Sequence, residues 1–280
     1  MNVGFVGLGM QGAPIAQRII DAGFPTTLWA RRPATLEPFA AGPAHRAGDL
    51  AELGAACDLV GVCVFADGDV DEVVAGPGGL LGSMRPGSTV AVHSTVHPDT
   101  CRALEARGRE RGIAVLDAPV SGSAAAARQG RLLVMVGGEA PTVDRARPVF
   151  ETFGDPVLHV GPTGTGQLVK LINNVVLSAN FSVVRDAFAL GQGFGVSPEI
   201  LLEALRHGSG ASRCLELLGS VQALDALPER VRPLLGKDTE IAFSVAAERR
   251  VPTGALPAVV HHLWEAPDPA PGGSAEETPD

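Results

Sequence analysis

Tyrosine is absent from this 280-residue chain, and tryptophan and phenylalanine are scarce, at 2 and 10. Beside 35 glycines and 22 prolines, that scarcity reflects coding bias more than function. No basic excess exists either: the net charge is −9. Binding a phosphate backbone depends on clustered Lys and Arg, so a nucleic-acid partner is not expected. Only four cysteines occur (Cys57, Cys63, Cys101 and Cys214), scattered without metal-ligand pairs or a disulfide framework. A metal site is therefore not expected, and a reducing cytoplasm is the simplest home. No apolar run reads as long enough to span a membrane. The opening "MNVGFVGLGM" has no basic segment before its apolar residues and no small-residue cleavage site, so it reads as a strand, not a secretion signal.

What is present is a globular composition, 45% hydrophobic, in a chain long enough for one large or two smaller domains. Short β-branched runs recur through the first half: "VGFVG" (3–7), "TTLWA" (26–30), "DLVGVCVF" (58–65), "STVAVH" (88–93), "IAVLDAPV" (113–120), "RLLVMVGG" (131–138) and "PVLHVG" (156–161). Segments of helical spacing separate most of them, such as "PIAQRIIDAG" and "PDTCRALEARGRERG". Strands apolar on both faces, alternating with helices, predict a mostly parallel sheet covered on both sides. After "GPTGTG" (161–166) the pattern turns helical, with a long apolar-periodic run to about Gly193 and then "SPEILLEALRHG", "SRCLELLGSV" and "KDTEIAFSVAAERR". The expected organisation is an α/β Rossmann-type dinucleotide-binding domain over 1–163, an all-α domain over 164–266, and a disordered Pro, Gly and acid-rich tail over 267–280.

The first turn carries the phosphate chemistry. Gly7, Gly9 and Gly12 have the dinucleotide-binding spacing, directly after a strand and opening a helix, with Leu8, Met10 and Gln11 between them. The first glycine permits a tight turn and the second lets a pyrophosphate approach the backbone. The third lets the helix pack on the strand and aim its N-terminus at the anion. Alone such a pattern also fits an ordinary turn; its place inside a βαβ unit selects the cofactor reading. An NAD site usually has an acid at the end of the second strand. Here that strand ends in Ala30, Arg31 and Arg32, with no acid before Glu37. Unless the arginines merely form a solvated loop, they favour a 2′-phosphate, hence NADP(H), with NAD(H) as second choice.

Lys170 sits in "LVKLINN", an apolar helical run where a stray ammonium is out of place. Lys170 and Asn174 are four apart and share one helix face. Leu168, Leu171, Ile172, Val175 and Val176 are expected to surround that face with apolar packing, which disfavours the charged ammonium and suits the lysine to proton transfer. A lysine snorkelling from a core helix is the bland alternative.

Four segments, "GFVGLGMQGAPIA", "DAPVSGSAAAARQGRLLVMVGG", "GPTGTGQLVKLINN" and "LLGKDTEIA", resemble in order and spacing the β-hydroxyacid dehydrogenase family, which includes 3-hydroxyisobutyrate dehydrogenases and tartronate semialdehyde reductases. The resemblance covers residues 1 to about 265. It implies that Lys170 is the proton donor or acceptor at the substrate oxygen and that Asn174 holds the substrate. Ser121 and Gly122, with Ser123 beside them, would meet the substrate carboxylate as a small anion nest. Lys237 would reach towards the cofactor, with further cofactor contacts from Phe65, Ala66 and Thr95; plain packing is an equal reading for Phe65.

The chain departs from the family where Ser123 replaces a glycine and where His93 stands in place of a common Asp. The implied function is hydride transfer between NADP(H) and a small β-hydroxy acid or semialdehyde. The alternatives are an imine reductase, which generally lacks the lysine, and a non-catalytic nucleotide-binding protein. The expected partner is a small carboxylate, with no nucleic acid and no membrane, in a homodimer or homotetramer.

Overall fold

The computed structural model describes residues 1–219 and 227–265; the expected tail lies outside them. Nine strands form one sheet: β1 (Val3–Val6), β2 (Thr26–Trp29), β3 (His45–Arg46), β4 (Leu59–Val62), β5 (Thr89–Val92), β6 (Ala114–Asp117), β7 (Val120–Ser121), β8 (Leu132–Gly137) and β9 (Gly154–Gly161). The first six run parallel in the order β3-β2-β1-β4-β5-β6. That order reverses direction between β1 and β4, the switch point at which doubly wound sheets bind ligands. β8 is antiparallel to β6 and β7, and β9 is parallel to β8.

The helices of this part are α1 (Gly12–Asp21), α2 (Leu50–Ala56), α3 (Asp67–Ala75), α4 (Leu80–Ser83), α5 (Pro98–Arg109), α6 (Ala124–Arg128) and α7 (Ala140–Phe150). Period-2 alternation sends Val3, Phe5, Leu28, Leu59 and Leu116 to one core with Ile15, Ile19, Phe150 and Phe153. It sends Val6, Val60, Val62, Val90, Val92 and Val115 to the other, with Leu53, Val70 and Leu104. Both faces of the parallel strands are therefore dry, as their unbroken apolar runs require. The run "IAVLDAPV" is two strands because Pro119, with no N–H to donate, interrupts the ladder. β3, only two exposed residues, has no apolar pattern from which to be expected.

α8 (Thr165–Gly193) is one continuous 29-residue helix. The expected boundary at 163/164 falls just before it, whereas the compact units divide inside it: the first is Met1–Asn174 and the second begins at Val175. The second unit also holds α9 (Pro198–His207), α10 (Arg213–Leu218), α11 (Leu227–Glu248) and α12 (Leu256–Trp264). Its core joins Phe181, Val184 and Phe188, one stripe of α8, to Leu202, Leu215, Leu218, Leu235 and Leu263. Arg185 donates to the carbonyls of His262, Leu263 and Glu265 and so satisfies the end of α12.

One expectation is corrected here. Among the described helices, α8 is long and apolar enough to cross a membrane by length and composition. Its isolated charges at Lys170, Arg185 and Asp186 break the apolar run in the sequence but do not interrupt the helix. Its apolar stripes at 181, 184 and 188 are core packing of the second unit.

Candidate active site

The glycine-rich turn follows the carboxyl end of β1. Gly7 has φ +92°, and a Cβ there would lie 2.2 Å from the Cys63 carbonyl oxygen. At Gly12 a Cβ would lie 1.9 Å from the Gly7 carbonyl oxygen, so the start of α1 touches its own turn. Gly9 differs: a Cβ would meet nothing within 4 Å. Two glycines are thus demanded by the fold, and the third leaves the backbone open to a ligand. α1 has no side-chain cap and no acid in its first turn, and the buried Gln11 Nε2 has no hydrogen-bond partner among the described residues. Uncapped N–H groups and an orphan donor beside an open backbone fit a dinucleotide pyrophosphate. Leu8 is buried in the core, and Met10 is exposed.

Of the other expected cofactor residues, all but Lys237 follow the carboxyl ends of β2, β4 and β5 on the same sheet edge. Ala30 is half-buried, while Arg31 and Arg32 are exposed. Arg31 Nη1 lies 3.6 Å from Asp69 Oδ1. Asp69 Oδ2 in turn accepts the Ala66 N–H at 3.1 Å, tying the start of α3. Phe65 is exposed and Thr95 is half-buried.

The lysine helix is moored by a residue that sequence reasoning passed over. Asp117, the last residue of β6, is fully buried. Its two carboxylate oxygens accept the N–H groups of Gly164 and Gln167, each at 2.7 Å. Burial pushes its carboxyl up, and the backbone N–H groups pull the other way without cancelling the shift. The clamp has no spare room: a Cβ on Gly137 would sit 2.3 Å from Asp117 Oδ1, and one on Gly166 2.8 Å from Oδ2. Gln167 is also fully buried. Its Nε2 donates to the Ser94 carbonyl at 2.9 Å, and its Oε1 accepts the Val96 N–H at 3.1 Å.

Lys170 is half-buried one turn after Gln167, and Asn174 is buried on the same arc. Asn173, also passed over, donates through Nδ2 to Ser121 Oγ at 3.4 Å and to Asn174 Oδ1 at 3.0 Å. The structure therefore brings the "PVSG" turn and the "KLINN" helix face together. The apolar surround needs correcting. Leu171 and Val175 are buried, but Ile172 is 63% and Val176 47% exposed. At about 100° per residue these two fall on the far side of α8 from Lys170.

Gly122 has φ +132°, and a Cβ would press to 2.7 Å from Leu132 Cδ2, so only glycine fits. The Ser123 hydroxyl is engaged as the N-cap of α6, accepting the Ala126 N–H at 3.3 Å. His93 is buried at the end of β5, where its Nδ1–H donates to the Ala118 carbonyl at 2.8 Å. It packs against Phe5, Phe150 and Phe153, and burial lowers its pKa to about 4. It is a neutral core residue. Lys237 belongs to α11 in the second unit, with Nζ 3.1 Å from Asp238 Oδ1. One compositional signal was overlooked: Lys170 and Lys237 are the chain's two lysines.

Comparison with known proteins shows similarity to NAD(P)-binding dehydrogenases along most of the chain. A model of the NAD-binding domain of 6-phosphogluconate dehydrogenase matches residues 2–161. One described as the NAD-binding domain of NADP-dependent 3-hydroxyisobutyrate dehydrogenase matches residues 164–278. An NAD-dependent L-serine dehydrogenase of Pseudomonas aeruginosa is 36% identical over 216 residues, 77% of this chain and 72% of that one. An L-threonate dehydrogenase of Cupriavidus necator is 31% identical over 279 residues, 99% of this chain and 94% of that one. The structure of Mycobacterium tuberculosis 3-hydroxyisobutyrate dehydrogenase with L-serine superposes with a TM-score of 0.82 at 26% identity, covering 93% of this chain and 91% of that one.

Proposed function

The chain belongs to the β-hydroxyacid dehydrogenase family of NAD(P)-binding oxidoreductases, and from that premise we propose that it interconverts a small β-hydroxy acid and its carbonyl form using NADP(H). The observation that carries the reading is the Asn173–Ser121 contact, which joins an anion-binding turn to the helix face bearing Lys170. When bound, the nicotinamide supplies the hydride chemistry. In the oxidation direction Lys170 Nζ accepts the hydroxyl proton as the C–O bond becomes a carbonyl; in reduction it returns that proton. Asn174 holds the reacting oxygen beside it. The Ser121 hydroxyl and the Gly122 N–H receive the substrate carboxylate, and Asn173 fixes the serine's direction. Ser123 acts through the turn, since its cap sets the path of the chain after Gly122.

The preference for NADP rests on Arg31 and Arg32 and on the lack of an acid at the end of β2. Cofactor contacts from Phe65, Ala66, Thr95 and Lys237 are part of the same proposal. So are a small carboxylate as the one non-protein partner besides the cofactor, a homodimer or homotetramer, and residence in the cytoplasm. The last is supported by four free cysteines.

The test is nicotinamide absorbance with NADP+ and NAD+ over L-serine, 3-hydroxyisobutyrate and L-threonate, and with NADPH over short semialdehydes and cyclic imines. Turnover is expected on a carboxylate substrate, lowered about 10²- to 10⁴-fold in Lys170→Ala. Arg31→Ala with Arg32→Ala should raise the KM for NADP+ about tenfold or more and leave that for NAD+ within about twofold. Full turnover by Lys170→Ala, or turnover on imines alone, would overturn the reading.

A further inference from the structure

Gln167 is fully buried, yet a buried amide has a large desolvation cost that an apolar side chain of the same size avoids. Its hydrogen bonds show what the amide does there. Nε2 donates to the Ser94 carbonyl and Oε1 accepts the Val96 N–H, so one side chain from α8 grips the backbone on both sides of Thr95. Ser94 Oγ accepts the Val64 N–H at 2.9 Å, which extends the grip to the stretch leading into Phe65 and Ala66. The Asp117 carboxylate fixes the Gln167 backbone N–H at 2.7 Å. Lys170 follows three residues later on the same helix surface.

The carboxyl ends of β4, β5 and β6 are thereby tied to the helix turn that carries Lys170. The bonds of Gln167 link that turn directly to the backbone of Ser94 and Val96, the two neighbours of Thr95. Sub-ångström placement governs hydride and proton transfer, so such a link matters for rate.

We propose that Gln167 is the positioning residue that holds Thr95 in register with Lys170, reaching from a turn that Asp117 clamps. It touches neither substrate nor cofactor. The inference rests on the roles given above to Lys170 and Thr95, and its test separates the two.

Gln167→Met keeps length and apolar volume and removes both bonds. It should speed amide exchange over residues 94–98 about tenfold or more while β1 and β4 stay protected. Its kcat on the best acid of the panel above should fall about tenfold or more, with KM within about threefold. Gln167→Glu adds a signature that packing alone would not produce. While protonated, its carboxyl can donate to the Ser94 carbonyl and accept the Val96 N–H, restoring both bonds. Once ionised, it opposes the Ser94 oxygen. Burial raises the pKa of such a carboxyl, so this variant should approach wild-type kcat at low pH and lose activity progressively as pH rises between about 6 and 9. Melting curves at each pH establish that it is folded.

A folded Gln167→Glu with the wild-type pH profile would overturn the proposal, as would a Gln167→Met with wild-type kcat and exchange. Wild-type exchange needs no variant: a Val96 amide as fast as an exposed loop would also overturn it. If Lys170→Ala keeps full turnover, the functional reading fails and the exchange result stands alone. If Lys170→Ala is inactive and the Gln167 variants are silent, only the positioning role fails.

Discussion

Of the 22 lysines and arginines in this chain, the two lysines are Lys170 and Lys237. Where a cation serves only as a charge, this protein uses arginine, which does not deprotonate. The proton exchange proposed for Lys170 calls for a lysine there, since an arginine would not deprotonate. Lys170→Arg should therefore bind NADPH within about threefold of wild type in a fluorescence titration, while kcat falls about 10²-fold or more. Ser123 belongs to the same scale but acts on stability. Ser123→Ala removes the cap of α6 and should cost about 1 kcal/mol in urea unfolding. His93 gives a pH-dependent effect. Its folded pKa, lowered to about 4 by burial, lies below the ordinary 6.5 of the unfolded chain. The unfolded chain therefore takes up the proton first as pH falls. Stability from this group is complete above about pH 6.5 and declines towards pH 4, by at most about 3 kcal/mol. In urea unfolding at pH 7, 6, 5 and 4, His93→Gln should show a shallower acid-side loss than wild type; equal slopes would refute this account.

At the scale of elements, the start of α8 depends on β6 more than on its own sequence. Asp117 caps α8 from 47 residues away, through Gly164 N–H. Asp117→Asn keeps the shape but offers one acceptor oxygen to two N–H groups. It should destabilise the chain by about 1–3 kcal/mol and speed exchange at the Gly164 and Gln167 amides. No local pattern announces this cap, because the capping residue is distant in sequence; the ordinary signal is Ser, Thr, Asp or Asn immediately before the helix. The parallel strands were legible because they are apolar on both faces. β3 was not, and the division of β6 from β7 turns on a single proline.

At the scale of the whole molecule, α8 carries a face left exposed among the described residues. Val176, Val183 and Leu190 are spaced by seven residues and are 47%, 57% and 59% exposed. That repeat makes one stripe along a helix, suited to a second copy of the chain. Val183→Glu should shift sedimentation of the proposed dimer or tetramer towards the monomer at micromolar concentration, leaving the far-ultraviolet circular dichroism unchanged. A wild-type protein already monomeric there would remove the self-association proposal.

The sequence by itself determined the class of fold, the phosphate turn and the lysine helix, because these rest on local regularities: glycine spacing after a strand, period-2 and period-3.6 patterning, and one motif on one helix face. Tertiary structure alone decided how they are joined. The Asp117 clamp, the Gln167 bridge to residues 94 and 96, and the Asn173–Ser121 contact each link positions 47 or more residues apart. Buried polar groups must find partners wherever the packed chain supplies them, and no local spacing records which partner that is.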